Sequence, residues 1–190
     1  MKIKSIISIC NVEKGVDIYG VGEKFEQFFS CNNAMYLMAG LPKLDEAAAY
    51  MLFGVPVDKQ DKFEVNIAEG YTHRFDLHSS VEGEVEAARG CGIKIKAFGG
   101  EYEPIGTSQG AVFIATKYLA PFDDLKNGIR LYERIDKHGK IYFAVKEGFM
   151  LVGIIRPEPI INEWLCNGLS KISELVKVAN GNGQGIVEDI

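Results

Sequence analysis

Long apolar runs are missing from this chain. No stretch approaches the roughly 18 consecutive apolar residues of a membrane-crossing helix. The apolar stretch Ile6–Cys10 falls short of the about 7–15 residues of a secretory signal core. No membrane partner and a cytoplasmic location are therefore expected. Cysteine is scarce too: Cys10, Cys31, Cys91 and Cys166 are far apart, with no C-x-x-C pair. That spacing argues against a structural zinc site or a disulfide framework and for reduced thiols. Neither G-x-x-x-x-G-K-[ST] nor a G-x-G-x-x-G opening a helix occurs, so no nucleotide cofactor, or any other, is expected.

Charge of one sign is also modest. The 190 residues carry 21 basic and 26 acidic side chains, for a net charge of −5. A mild acidic excess favours solubility and gives no general pull toward phosphate backbones. Duplex DNA as a partner is left open but unsupported by this charge. Small basic groupings exist at Lys2/Lys4, Lys94/Lys96 and Arg130/Arg134. They read as solvent faces of ordinary elements.

What is present is a glycine-punctuated series of short β-rich runs. Lys2–Cys10 and Val16–Val21 read as a hairpin, Glu23–Ser30 as a short helix and Ala34–Ala39 as a buried strand. Pro42–Phe53 reads as a helix stopped by Gly54, with Leu44, Ala47, Ala48, Met51 and Leu52 as its buried stripe. Phe63–Ala68 and Tyr71–His78 read as a second hairpin across Glu69-Gly70. Ile93–Phe98 and Ala111–Lys117 are strands on either side of a glycine-rich loop, Gly99–Gly110. Leu119–Asn127 supplies one or two helical turns. Ile129–Ile135, Lys140–Lys146 and Phe149–Ile155 form a β-meander, which makes an antiparallel sheet. Beyond Pro157 and Pro159, Ile160–Ala179 shows the periodicity of a long amphipathic helix.

The expected fold class is α+β: a large, mainly antiparallel sheet with helices on one face and a long C-terminal amphipathic helix. Residues 1–179 would form a single domain, with two units at about 1–98 and 99–179 as a variant, and 180–190 a mobile tail.

Three groupings carry chemistry. Gly106-Thr107-Ser108-Gln109-Gly110 matches G-x-S-x-G, with Asp124 and His138 following in the Ser…Asp…His order of a hydrolase triad. Its context differs from a nucleophile elbow: Pro104 precedes it and a β-branched run follows. Asp76 and His78 would share one strand face and supply two metal ligands, with no third in view. Glu101 and Glu103 flank Tyr102 and are paired carboxylates of the kind used in acid–base work. Trp164, Leu165 and Ile172, on the apolar face of the last helix, are the interface candidates, since Trp is enriched where chains meet.

Residues 111–157, AVFIATKYLAPFDDLKNGIRLYERIDKHGKIYFAVKEGFMLVGIIRP, run strand, short helix, strand, hairpin. That order resembles a β-α-β-β-β unit of the DNA sliding clamps. The resemblance implies a non-enzymatic, ring-forming protein that encircles duplex DNA. The candidate helices carry Asp45, Glu46, Asp123 and Asp124, where clamps present basic residues to phosphate. The expected function is thus that of a non-catalytic, self-associating protein that acts through binding. A small serine hydrolase using Ser108 is the alternative.

Overall fold

A computed structural model describes residues 1–21, 26–70, 74–89, 92–161 and 171. The chain divides into two compact units, Met1–Glu158 and Pro159–Ile190. The first is a mixed α+β unit with a large, mostly antiparallel sheet and few helices.

The sheet has eight strands in the order β4-β1-β2-β3-β12-β11-β10-β5. They are β1 (Gly15–Val21), β2 (Glu26–Cys31), β3 (Ala34–Ala39), β4 (Glu64–Glu69), β5 (Val85–Glu86), β10 (Arg130–Ile135), β11 (Ile141–Glu147) and β12 (Met150–Ile155). All neighbours are antiparallel except β1 and β4. The β10–β12 meander forms where the sequence places it. Its alternating residues divide cleanly, with Tyr142 and Ala144 on one face and Phe143 and Val145 on the other, all buried. Helices α1 (Ile3–Glu13) and α2 (Glu46–Phe53) lie on the face that carries Phe29. The Phe53 ring is 5.6 Å from the Phe29 ring. The opposite face holds Phe28, Met35, Tyr142, Leu151 and Ile154.

A smaller sheet is built on β8 (Gly100–Thr107). On one side it pairs with β6 (Ala88–Arg89) and β7 (Ile95–Ala97), and on the other with β9 (Gly110–Ala115).

Several elements differ from their sequence expectations. Lys2–Cys10 is not a strand: Ile6, Ile9 and Cys10 recur at helical spacing and are buried along α1. Lys14, at φ 59°, closes that helix with its N–H on the Cys10 carbonyl. Glu26–Cys31 is a strand rather than a helix, because Phe28 and Phe29 are both buried on opposite faces of the sheet. In α2 the buried residues are Ala49 and Phe53, while Met51 is 83% exposed. Asp45 caps this helix with its carboxylate on the Ala48 N–H (2.8 Å), and Gly54 ends it at φ 65°.

Two pairings also depart from expectation. The pairing found for β4 is with β1 rather than the expected hairpin with 71–78, of which 71–73 lie outside the described residues. β4 returns beside β1 in parallel after the α2 crossover, and residues 74–78 are not a strand. Gly99–Gly110 is mostly strand β8, not loop. Pro104 is tolerated there because β7 pairing ends at Tyr102 and β6 pairing starts at Ile105, so a missing N–H leaves the ladder on that side intact. Leu119–Asn127 contributes a short 3-10 turn at Ala120–Phe122. The expected C-terminal helix lies outside the described residues, apart from Lys171.

Candidate functional site

A cleft of about 580 Å³ opens on the face of the large sheet away from the helices. Register explains its composition. The β2–β3 turn at Asn32-Asn33, the β10–β11 turn at 136–140 and the exit of β12 at Arg156 all fall at one end of the sheet. Cys31 pairs with Ala34, Ala34 with Ile155, Ile155 with Phe143, and Ile135 with Ile141. That end therefore brings Lys137, His138 and Arg156 to the cleft, with Arg74 entering from the segment after β4. Tyr19, Met35 and Ile154 form the floor and Phe75 a wall.

The supports are specific. Nη2 of Arg156 donates to the Asn32 carbonyl (3.0 Å) and to Oδ1 of Asn33 (2.6 Å). Nε of Arg74 donates to Oδ2 of Asp136 at 3.4 Å, and its guanidinium stands 5.5 Å from the Phe75 ring centre. The Asp136 side chain is 1% exposed. Burial pushes its carboxyl up, but N–H bonds from Lys140 and His138 and the Arg74 guanidinium outweigh that and hold it below the usual range. Asp136 thus orients both Arg74 and the hairpin turn. Every charged side chain among the described lining residues is basic.

A second recess, near Tyr102 on the small sheet, is charge-balanced instead. Arg89 pairs with Glu103 (3.1 Å), Lys94 with Glu101 (2.8 Å) and Lys2 with Asp123 (3.3 Å). The two carboxylates singled out in the sequence are therefore held in ion pairs.

The hydrolase candidates go to different neighbours. The Ser108 hydroxyl donates to Oε1 of Glu133, and its N–H to Oε2 at 2.8 Å. Asp124 forms an ion pair with the amino group of Met1 at 3.0 Å. His138 lines the basic cleft, with its N–H on Oδ1 of Asp136 (2.8 Å). Among the described residues, no hydrogen bond joins any two of these three.

Asp76 and His78 do come together, with Nδ1 of His78 2.6 Å from Oδ1 of Asp76. They lie on an irregular segment rather than a strand face. Among the described residues, no group of three or more His, Cys, Asp or Glu side chains could hold a metal ion. Trp164, Leu165 and Ile172 lie outside the described residues.

Beside the cleft, the same face carries a buried ionic group that the sequence did not disclose. Nε of Arg134 donates to Oε2 of Glu84 at 2.8 Å, and Lys146 donates to Oε1 of the same carboxylate. Nη1 of Arg134 also donates to the carbonyls of Asp76 and His78, both at 2.9 Å. The Lys146 ammonium stands 4.2 Å from the Tyr132 ring centre. These bonds pin the segment 74–84 over the sheet. Cys10 and Cys31 are buried, free thiols in contact between α1 and β2. The hydrogen bond with Cys10 and burial both push the Cys31 thiol up, so it stays protonated and inert.

No helix of the described residues is long and apolar enough to cross a membrane. Comparison with protein-family models, curated proteins and solved structures finds no match.

Proposed function

We propose that this protein is non-catalytic and acts by binding, as a self-associating chain. The observation that carries the reading is the outer strand of the large sheet. β4 ends the strand order, pairs with β1 on one side, and exposes Asn66, Ile67 and Ala68. Its charged residues, Glu64 and Glu69, stand at its two ends, and the stretch between them has no charge, Pro or bulge, devices that normally prevent edge-to-edge pairing. A second copy pairing there would extend the sheet across the interface. Supporting the non-catalytic part, the hydroxyl of Ser108 is committed to Glu133 rather than to a histidine.

Absolute mass by light scattering on a sizing column tests this directly. The expected result is a dimer or larger closed assembly, shifted toward monomer by Ile67→Lys. A monomer at all concentrations overturns the self-association. The same run with duplex DNA addresses the clamp-like reading, in which an added mass shift would be needed. A fluorophosphonate probe is expected to leave Ser108 unlabelled; labelling would favour the hydrolase.

A further inference from the structure

We propose that two copies of this chain join their β4 strands antiparallel about a two-fold axis through Ile67, so that the large sheet runs unbroken from one copy into the other. This rests on the self-association reading and deepens it, by fixing which residue meets which.

The direction of the free backbone groups is the first argument. The Glu64 N–H donates to the Lys14 carbonyl at 3.0 Å, and Glu64 stands beside Gly15 of β1. Along a strand, successive residues turn their N–H and C=O groups to alternate sides. Glu64, Asn66 and Ala68 therefore direct theirs into β1. Val65, Ile67 and Glu69 direct theirs outward, where no strand among the described residues receives them. An antiparallel neighbour bonds only where outward residues stand opposite outward residues. An axis through Ile67 achieves this for all of them. Ile67 meets its own copy, and Val65 meets the partner's Glu69 in both directions. An axis at Val65, Asn66, Ala68 or Glu69 leaves at least one outward residue of each copy with no β4 residue opposite it.

Side chains are the second argument. In this register Glu69 stands opposite the partner's Val65, and Glu64 opposite the partner's Gly70. No carboxylate faces another, an arrangement that like charges would destabilise. Within its own chain Glu69 is paired with Lys43 (2.6 Å), and Glu64 accepts from the Asn66 amide (3.0 Å). Ile67 lies exposed in the middle of the strand. It pairs with Ile18, and Ile18 with Phe29, so its side chain is on the helix-bearing face. Across the axis it covers its own copy, and β-branched cross-strand pairs stabilise a sheet. A patch that complements itself is what a closed two-fold dimer requires, which makes a second copy the fitting partner for this edge.

Disulfide cross-linking of the full chain provides the test. Ile67→Cys, Val65→Cys and Glu69→Cys are each oxidised with copper phenanthroline, and the linked peptides are mapped by mass spectrometry. Ile67→Cys is expected to link two copies through the introduced thiols, since directly opposed Cα atoms lie about 5.5 Å apart, within disulfide reach. Val65→Cys and Glu69→Cys are each expected not to link to themselves, since an offset of four residues separates the copies by about 14 Å. Mixed and equilibrated, those two variants are expected to link to each other. Ile67→Pro removes an outward N–H that β1 does not use, a change that edge strands tolerate. It is expected to weaken association at least about tenfold with an unchanged far-UV circular dichroism spectrum. The proposal is overturned if Val65→Cys or Glu69→Cys links to itself, or if Ile67→Cys stays unlinked in a protein that light scattering shows to be a dimer. In either case self-association stands and the axis alone fails. A monomer at all concentrations removes the self-association itself, and the axis with it.

Discussion

Ser108 and Glu133 are joined twice: the serine hydroxyl and its backbone N–H donate to the two oxygens of one carboxylate. Glu133 sits on β10 and is 7% exposed. The β8–β9 turn is thereby tied to the large sheet. A carboxylate buried in this way relies on its donors to offset the water it has lost.

Glu133→Ala removes the acceptor and leaves the turn untethered. We expect a loss of about 1–3 kcal/mol, read as a lower urea midpoint. Ser108→Ala keeps the N–H bond and should cost less, about 1 kcal/mol. Equal and negligible effects for both would show that the pair contributes nothing to stability.

Glu84 holds two cations at once, with the side chains of Arg134 and Lys146 only 2% and 6% exposed. Removing the shared acid strands both charges in the interior. Glu84→Ala should therefore cost about 3–5 kcal/mol. Lys146→Met leaves Glu84 paired with Arg134 and keeps an apolar stem over Tyr132, so its cost should be clearly smaller. Urea denaturation of the two variants checks the order.

The same pair sets a pH dependence. Burial pushes Glu84 up, but hydrogen bonds from Lys146 and Arg134 outweigh it and hold the carboxyl below its ordinary 4.5. Asp136 is likewise held below its ordinary 3.8. A carboxyl lowered on folding adds stability above its unfolded value and loses it as pH falls through the folded one. Stability should thus be level above about pH 5 and fall progressively below it. In Glu84→Gln the slope below about pH 5 should be shallower, as followed by thermal melts from about pH 3 to pH 7.

Phe98 and Gly99 form the two-residue turn between β7 and β8, at φ 50° and 76°. A bulky side chain is costly in the left-handed region, and this one is also 63% exposed. Phe98→Asn creates the Asn-Gly pair that such hairpins favour. It should raise stability by about 0.5–1 kcal/mol. A lower melting temperature would mean that the Phe98 ring has a packing role.

Gly153 on β12 is required by close approach. A Cβ there would stand 2.6 Å from both the Met35 carbonyl oxygen and Cζ of Phe122. One of these is backbone held in the β3–β12 pairing and cannot yield. Gly153→Ala should cost about 1–3 kcal/mol by overpacking. The check is its urea midpoint.

Local patterns in the sequence determined the α+β class, the β10–β12 meander and the Gly54 end of α2, whose start falls at Glu46 rather than at Pro42. Each depends on residues within a few positions of one another: alternation and a stop glycine. Tertiary structure decided the rest. Ile6, Ile9 and Cys10 suit either a strand or a helix, and only packing against the sheet selected the helix. β4 pairs with β1 in parallel, about 49 positions away, and nothing in either strand names the other. Ser108 and Glu133 are 25 positions apart, Glu84 and Lys146 are 62. Arg74, Lys137 and Arg156 show no common motif, because their meeting place is one end of a sheet. Side chains read singly along a chain do not reveal which carboxylate neutralises which cation; that follows from strand order, and strand order is settled by burying both faces of the sheet at once.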